Sequence, residues 1–143
     1  MPEQTVKKIK DRFGDKVQVL EKSKTRFYVD AWDKELAIEV VKFLFKDLGL
    51  RFSIASGVDK REGVEVLYHM ADDRNGTRIS IRTLAEKPYP SLPSATSFMD
   101  GAEWIEREMH ELLGVDFIGH PNQERLLLPD DWPEGIYPLR KGQ

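Results

Sequence analysis

Cysteine is absent from the 143 residues. That excludes disulfides, thiolate zinc sites, a cysteine nucleophile and any iron–sulfur cluster held by this chain alone. Redox chemistry would need centres carried by another subunit. Asparagine occurs only at Asn75 and Asn122, while charged residues of both signs make up 33%, a composition expected of a heat-adapted protein. Long apolar runs are missing too. The longest, Val40-Val41 to Phe43-Leu44-Phe45, is broken by Lys42 and stopped by Lys46, far too short to cross a bilayer. Met1-Pro2-Glu3-Gln4 lacks the apolar stretch of a secretory signal, so the chain is expected to be intracellular. No glycine-rich phosphate or dinucleotide loop is present, since Ser56-Gly57 and Arg61-Glu62-Gly63 carry isolated glycines. A net charge of −3 without a basic stripe argues against nucleic-acid binding. Lys7-Lys8, Lys10, Lys22, Lys24 and Arg26 alternate with acids and read as a solvated face.

What remains is one domain, long enough to bury roughly 68–70% of the surface of its unfolded chain. Val6, Ile9 and Phe13 lie at helical spacing before Gly14. Val17-Gln18-Val19 and Thr25 to Val29 flank the polar residues 21–24 as a hairpin. Asp33 caps a second helix with the stripe Ala37, Val40, Val41, Leu44, Leu48, and Gly49 stops it. Leu50, Phe52 and Ile54 alternate with Arg51 and Ser53, predicting a strand with those three on its buried face. Val64 to Met70 predicts another strand, and Thr77, Ile79 and Ile81 complete a pair across Asp73-Arg74-Asn75-Gly76, where Asn-Gly tolerates positive φ. Pro88, Pro90 and Pro93 mark an irregular link. A last helix is predicted from Asp100, with Asp100 and Glu103 as a variant capping box. Its stripe is Ala102, Ile105, Met109, Leu112 and Leu113, and Gly114 ends it. The predicted fold class is α+β: a single domain over 1–114, helices on one face of a small, mainly antiparallel sheet, followed by an extended irregular C-terminal tail over 115–143.

Few motifs carry chemistry. His110-Glu111 begins like a zinc-protease helix, but Gly114 stands where the second histidine belongs. His69 and His120 lie on other elements, and the acid pairs Asp72-Asp73 and Asp130-Asp131 read as solvated turns. His120, beside Pro121, is expected to bond backbone at a turn. Arg107 has Glu103 one turn before it and Glu111 one turn after, a ladder of about 0.2–0.5 kcal/mol per pair if exposed, too weak to be needed for stability alone. A partner-facing role for the ladder is the reading preferred. The tail is the more telling segment. Phe117, Leu126, Leu127, Leu128, Trp132, Ile136, Tyr137 and Leu139 are strung along a chain broken by proline and glycine. Left in water they would form a large apolar patch, the mark of an interaction surface. Arg125, Arg140 and Lys141 offer charged anchors. The alternative, a tail folded back over its own sheet, is weighed below partner binding.

Trp104-Ile105-Glu106-Arg107-Glu108, Leu113-Gly114-Val115-Asp116-Phe117, Gly119-His120-Pro121, Arg125-Leu126-Leu127 and Pro138-Leu139-Arg140-Lys141 resemble the signature of the 30-kilodalton subunit of respiratory complex I, the NADH:quinone oxidoreductase. That family also occurs in membrane-bound energy-converting hydrogenases and related archaeal respiratory complexes. His110-Glu111 stands where complex I members usually carry an aromatic residue followed by Asp, a pattern more like the hydrogenase branch. The chain is read as not fused to a large catalytic subunit. The resemblance implies a non-catalytic, cofactor-free subunit at the cytoplasmic side of the membrane, held there through partners. Those partners are the large catalytic and the small iron–sulfur subunits, which carry iron–sulfur clusters and a nickel–iron centre in the hydrogenase case; the membrane arm is met only indirectly. It implies partner docking by Glu106, Arg107, Glu108, Phe117, His120, Arg125, Leu126, Leu127, Leu128, Trp132, Leu139, Arg140 and Lys141. Two other classes stay open: a free-standing scaffold domain, and a hydrolase using His110, Glu111 and Asp130.

Overall fold

A computed structural model describes residues 2–123, 126–129 and 131–140. In chain order it forms helix α1 (Pro2–Phe13), strands β1 (Gln18–Glu21) and β2 (Arg26–Asp30), and helix α2 (Lys34–Lys42). Strands β3 (Arg51–Asp59), β4 (Gly63–Asp72), β5 (Thr77–Glu86) and β6 (Ser91–Pro93) follow, then helix α3 (Ala102–Leu113) and strand β7 (Asp116–Ile118). The five-stranded sheet has the order β1-β2-β5-β4-β3, and β6 and β7 form a separate parallel pair. All neighbours in the large sheet are antiparallel except β2 and β5. The predicted α+β class holds, with helices on one face of a mainly antiparallel sheet.

Local signals explain most elements. The Asp33 carboxylate accepts the N–H groups of Glu35 and Leu36 at the start of α2, satisfying two donors that a helix N-terminus otherwise leaves orphaned. Ala37, Val40, Val41 and Leu44 are fully buried; a valine or leucine taken out of water contributes about 1.5–3 kcal/mol. The end of this helix widens into a π-turn over Phe43–Asp47 before Gly49, at φ +70°, redirects the chain. One buried cluster runs from Val6, Ile9 and Phe13 through Val29, Tyr68 and Ile81 to Met109 and Leu113. It places all three helices on the same side of the sheet.

Two expectations are corrected. Ile54 is 53% exposed rather than buried, because the β3–β4 register slips between Phe52 and Ile54. The extra residue of the bulge reverses the alternation, so Ala55 and Gly57 take the inner positions. A Cβ at Gly57 would lie 2.5 Å from Leu113 Cδ1; the missing side chain is what lets α3 settle on β3. In the β4–β5 turn only Gly76 has positive φ. Asn75 instead accepts the Thr77 N–H through Oδ1 at 3.0 Å, and Asp72 gathers Arg74 and Asn75 beneath it.

Candidate partner-docking surface

Helix α3 and the described residues that follow it carry most of the side chains expected to dock a partner. Gly101 occupies the N-cap position without a side-chain bond; the Asp100–Glu103 capping box does not form, because Asp100 supplies its backbone carbonyl to the Glu103 N–H instead. The buried face is Ala102, Glu106, Met109, Glu111 and Leu113. Glu106 is thus a carboxylate on the apolar side of the helix. It is 0% exposed, accepting the Ser94 hydroxyl at 2.6 Å and the Ala95 N–H at 2.8 Å. Burial pushes its carboxyl above the ordinary range, while the bonds from Ser94 and Ala95 and the nearby His120 pull the other way. Its charge reaches Tyr68, whose phenol is raised first by burial and then by Glu106. Glu106 therefore fastens the approach to α3 onto α3 itself.

The second buried acid holds the tail. Glu111 accepts the backbone N–H groups of Leu126, Leu127 and Leu128 at 3.0, 2.8 and 2.7 Å. Three successive amides on one carboxylate form a charge-assisted clamp. At the other end of the tail, Arg140 donates from Nε to Leu113 O at 2.6 Å and from Nη2 to Gly114 O at 3.2 Å. A cation there offsets the orphan carbonyls and the negative end of the helix dipole. The Leu139 N–H adds a bond to Leu112 O, and Arg140 lies 4.8 Å from the Tyr137 ring centroid. Gly114 makes this closure fit, with φ +75° and a hypothetical Cβ 2.6 Å from the Tyr137 ring. Gly114→Ala is expected to cost about 1–3 kcal/mol in left-handed strain and to lift Tyr137 and Arg140 off the helix end. Thermal unfolding, together with limited proteolysis beyond residue 123, checks it; an unchanged cleavage pattern would contradict it.

The histidines have structural partners. His120 donates from Nε2 to Glu103 O and accepts the Asn122 N–H at Nδ1, both at 2.9 Å, the turn role expected for it. His110 Nδ1 lies 2.9 Å from Val115 O.

The expected docking residues sort by position. Glu106 and Phe117 are fully buried and offer no surface; Phe117 instead pairs with Leu92 across β6 and β7. Arg107, Glu108, His120, Leu126 and Trp132 are part-exposed, and the Trp132 indole donates to Ile136 O at 2.7 Å. Leu127 at 60% and Leu139 at 55% point outward, while Leu128 is part-exposed. Arg140 is occupied at the helix end. Arg125 and Lys141, like Asp130, lie outside the described residues. Trp104, Ile118 and Ile136 are exposed as well, so apolar groups appear on α3, β7 and the tail. The tail folds back onto α3 rather than over the sheet as the alternative had it, through its backbone and Arg140, and leaves Leu127 and Leu139 facing out. Glu111 was missed as the residue that holds the tail; the three amides it receives carry no sequence signal. Glu106 could have been found, because 102, 106, 109 and 113 form a helical stripe that it shares with Ala102, Met109 and Leu113.

Residues 31–143 match the family described as the respiratory-chain NADH dehydrogenase 30 Kd subunit. The chain belongs to this family. Within it, the C subunit of NADH-quinone oxidoreductase from Roseiflexus sp. (strain RS-1) is 40% identical over 113 residues, covering 75% of this chain and 64% of that protein. The membrane-bound hydrogenase subunit beta of Pyrococcus furiosus is 35% identical over 146 residues, covering 96% and 83%. Formate hydrogenlyase subunit 5 of Escherichia coli is 38% identical over 107 residues, covering 72% of this chain but only 19% of that protein. Thus the chain spans somewhat under two thirds of the first relative and a small part of the last. A chain of the archaeal membrane-bound sulfane sulfur reductase superposes with a TM-score of 0.83 at 23% identity, covering 97% of this chain and 83% of that one. A trypsin-resistant fragment of Nqo5 gives 0.64 at 22%, covering 85% and 99%. Both share the fold of this chain. Helix α3 and the tail fall inside the family match, whereas α1, β1 and β2 precede it.

Proposed function

We propose that this 30 Kd-family chain is a cofactor-free assembly subunit in the hydrophilic arm of a membrane-bound, ion-translocating oxidoreductase complex. The observation that carries the reading is the two-sided tail. Its backbone and Arg140 are tied to α3, while Leu127 and Leu139 face outward with Ile136. An apolar patch fixed in place but uncovered is the arrangement an interface requires. The partners would be the large and small electron-transfer subunits, carrying the iron–sulfur clusters and, in a hydrogenase, the nickel–iron centre. The membrane is reached through them; among the described residues no helix is long and apolar enough to cross it. The segment after residue 114 starts within the folded body, with β7 paired to β6 and Phe117 buried; the docking part lies beyond β7 and stays clipped to α3. The His110-Glu111 pattern favours the hydrogenase-like or sulfur-reducing branch, and the 40% identity to an NADH-quinone oxidoreductase relative supports the quinone-reducing alternative. Two cysteine pairs able to hold nickel and iron in the large subunit would separate these branches.

The test is mild detergent extraction of membranes containing the tagged full chain, with co-eluting subunits and metals identified. Leu127→Asp with Leu139→Asp is expected to reduce co-elution roughly tenfold or more, with thermal unfolding of the purified chain unchanged. Arg140→Glu is a poor probe, since it would place an acid against the carbonyls that Arg140 now caps. Retained co-elution in the double variant would overturn the tail-docking reading. A wild-type chain that elutes alone would favour a free-standing scaffold, the second reading, which the tail's own clamp on α3 supports.

A further inference from the structure

The face of the sheet turned away from the helices carries an arrangement that tail docking does not use. Arg26 on β2 is the register partner of Arg78 on β5, Arg78 pairs with Ala71 on β4, and Ala71 pairs with Arg51 on β3. These four positions form one row across four strands. With strands about 4.8 Å apart, three guanidinium groups are arrayed over roughly 14 Å, with only an alanine among them. Arg51 pairs with the exposed Asp73 at 2.9 Å. Arg26 and Arg78 take part in no ion pair or ring contact among the described residues. Like charges directly opposite each other across strands oppose folding, so this pair works against the sheet when no anion is bound.

Arg82, farther along β5 on the same face, shows the contrast. It is bidentate to Asp30 at 2.5 and 2.7 Å, lies 4.0 Å from Glu65 and stacks 4.7 Å from the Tyr28 ring centroid. The chain can satisfy an arginine here, yet leaves two beside each other unpaired. The next row supplies a fixed floor, with His69 between Ser56 at 3.0 Å and Ser80 at 2.7 Å. Burial, and then the Arg26 charge, hold its imidazole below the ordinary range. A hollow of about 320 Å³ is lined by Arg26, Arg51, Ile54, His69, Ala71 and Arg78. Of these, Ile54 is an exposed apolar side chain.

We infer that this row is a second docking site, for an acidic, extended segment of a partner protein whose carboxylates take the Arg26 and Arg78 forks. Arginine presents parallel donors that match a carboxylate bidentately. Acids at alternate positions of an extended segment are about 7 Å apart, a spacing these long side chains can meet. Exposed Ile54 beside the arginines fits a protein partner, whose interfaces mix arginine with apolar groups. The site lies on the opposite side of the sheet from α3, so it stands or falls separately from the tail.

The test uses the isolated full chain and a labelled hexaglutamate peptide followed by fluorescence anisotropy. Binding is expected, weakened roughly tenfold or more by Arg26→Gln with Arg78→Gln and by about twofold or less by Lys7→Gln with Lys10→Gln. Amide shifts of the wild-type chain should centre on residues 26, 51, 69, 78 and 80, a readout independent of how the variants fold. Absent binding, equal weakening by both pairs of substitutions, or shifts centred elsewhere would overturn the site. Tighter arginine-dependent binding of oligothymidine or of phosphatidylserine vesicles would overturn the choice of a protein segment.

Discussion

Glu111→Ala is expected to free the tail while leaving the sheet folded. The carboxylate takes three consecutive N–H groups, and a hydrogen bond to a charged group contributes about 1.5–3 kcal/mol. Once the acceptor is gone, those amides regain water only if residues 126–128 leave the helix, so the loss appears as local opening rather than global unfolding. Loss of even one such bond's contribution changes the opening equilibrium by roughly tenfold or more. Hydrogen exchange at Leu126, Leu127 and Leu128 should therefore accelerate by about 10–100-fold, with β4 and β5 unaffected. Glu111→Gln, which keeps the shape but places an NH2 against the amides, should fall between. Unaltered exchange in the alanine variant would mean that Arg140 and Leu139 hold the tail unaided.

Glu106→Ala should instead unfold the body. It leaves the Ser94 hydroxyl and the Ala95 N–H buried without an acceptor, each costing about 1–3 kcal/mol, and opens a cavity against the core. A loss of about 3 kcal/mol or more in chemical denaturation is expected. Glu106→Gln separates charge from shape. The carboxyl is raised above 4.5 in the folded chain, chiefly by burial, so the native state binds its proton more tightly than the unfolded one. Stability from this group is then greatest in acid and falls as pH rises from about 4.5 through the folded value. The glutamine variant should lack that decline. An identical stability–pH curve for both proteins would show that the group titrates alike folded and unfolded.

Helix α2 was legible because its signals are local: the Asp33 cap, the stripe from Ala37 to Leu44 and the stop at Gly49. The β1–β2 hairpin and the β4–β5 pair were legible for the same reason, through turn residues between alternating segments. Ile54 was misread because one bulged residue, invisible in composition, inverts every later position of β3. The parallel pairing of β2 with β5 depends on α2, β3 and β4 being in place, so no neighbouring residues announce it. The Asp100–Glu103 pattern matched a capping box, but the preceding turns around Ala95 and Met99 carry the chain in along a path that leaves Gly101 at the cap. In the tail, Leu127 and Leu139 are exposed, as apolar residues without regular period suggested, whereas Trp132 is part-buried. Which way each side chain faces depends on Glu111 and Gly114, residues whose tail partners are 15 or more positions away.

The clamp on Glu111 also restricts how a neighbour can engage the tail. With the amides of Leu126 to Leu128 already donated to one carboxylate, an incoming sheet edge finds no free ladder there to extend. On the proposed docking reading, recognition would come from cavities shaped for individual leucines, so a foreign protein with an ill-fitting socket would be rejected by volume rather than by register.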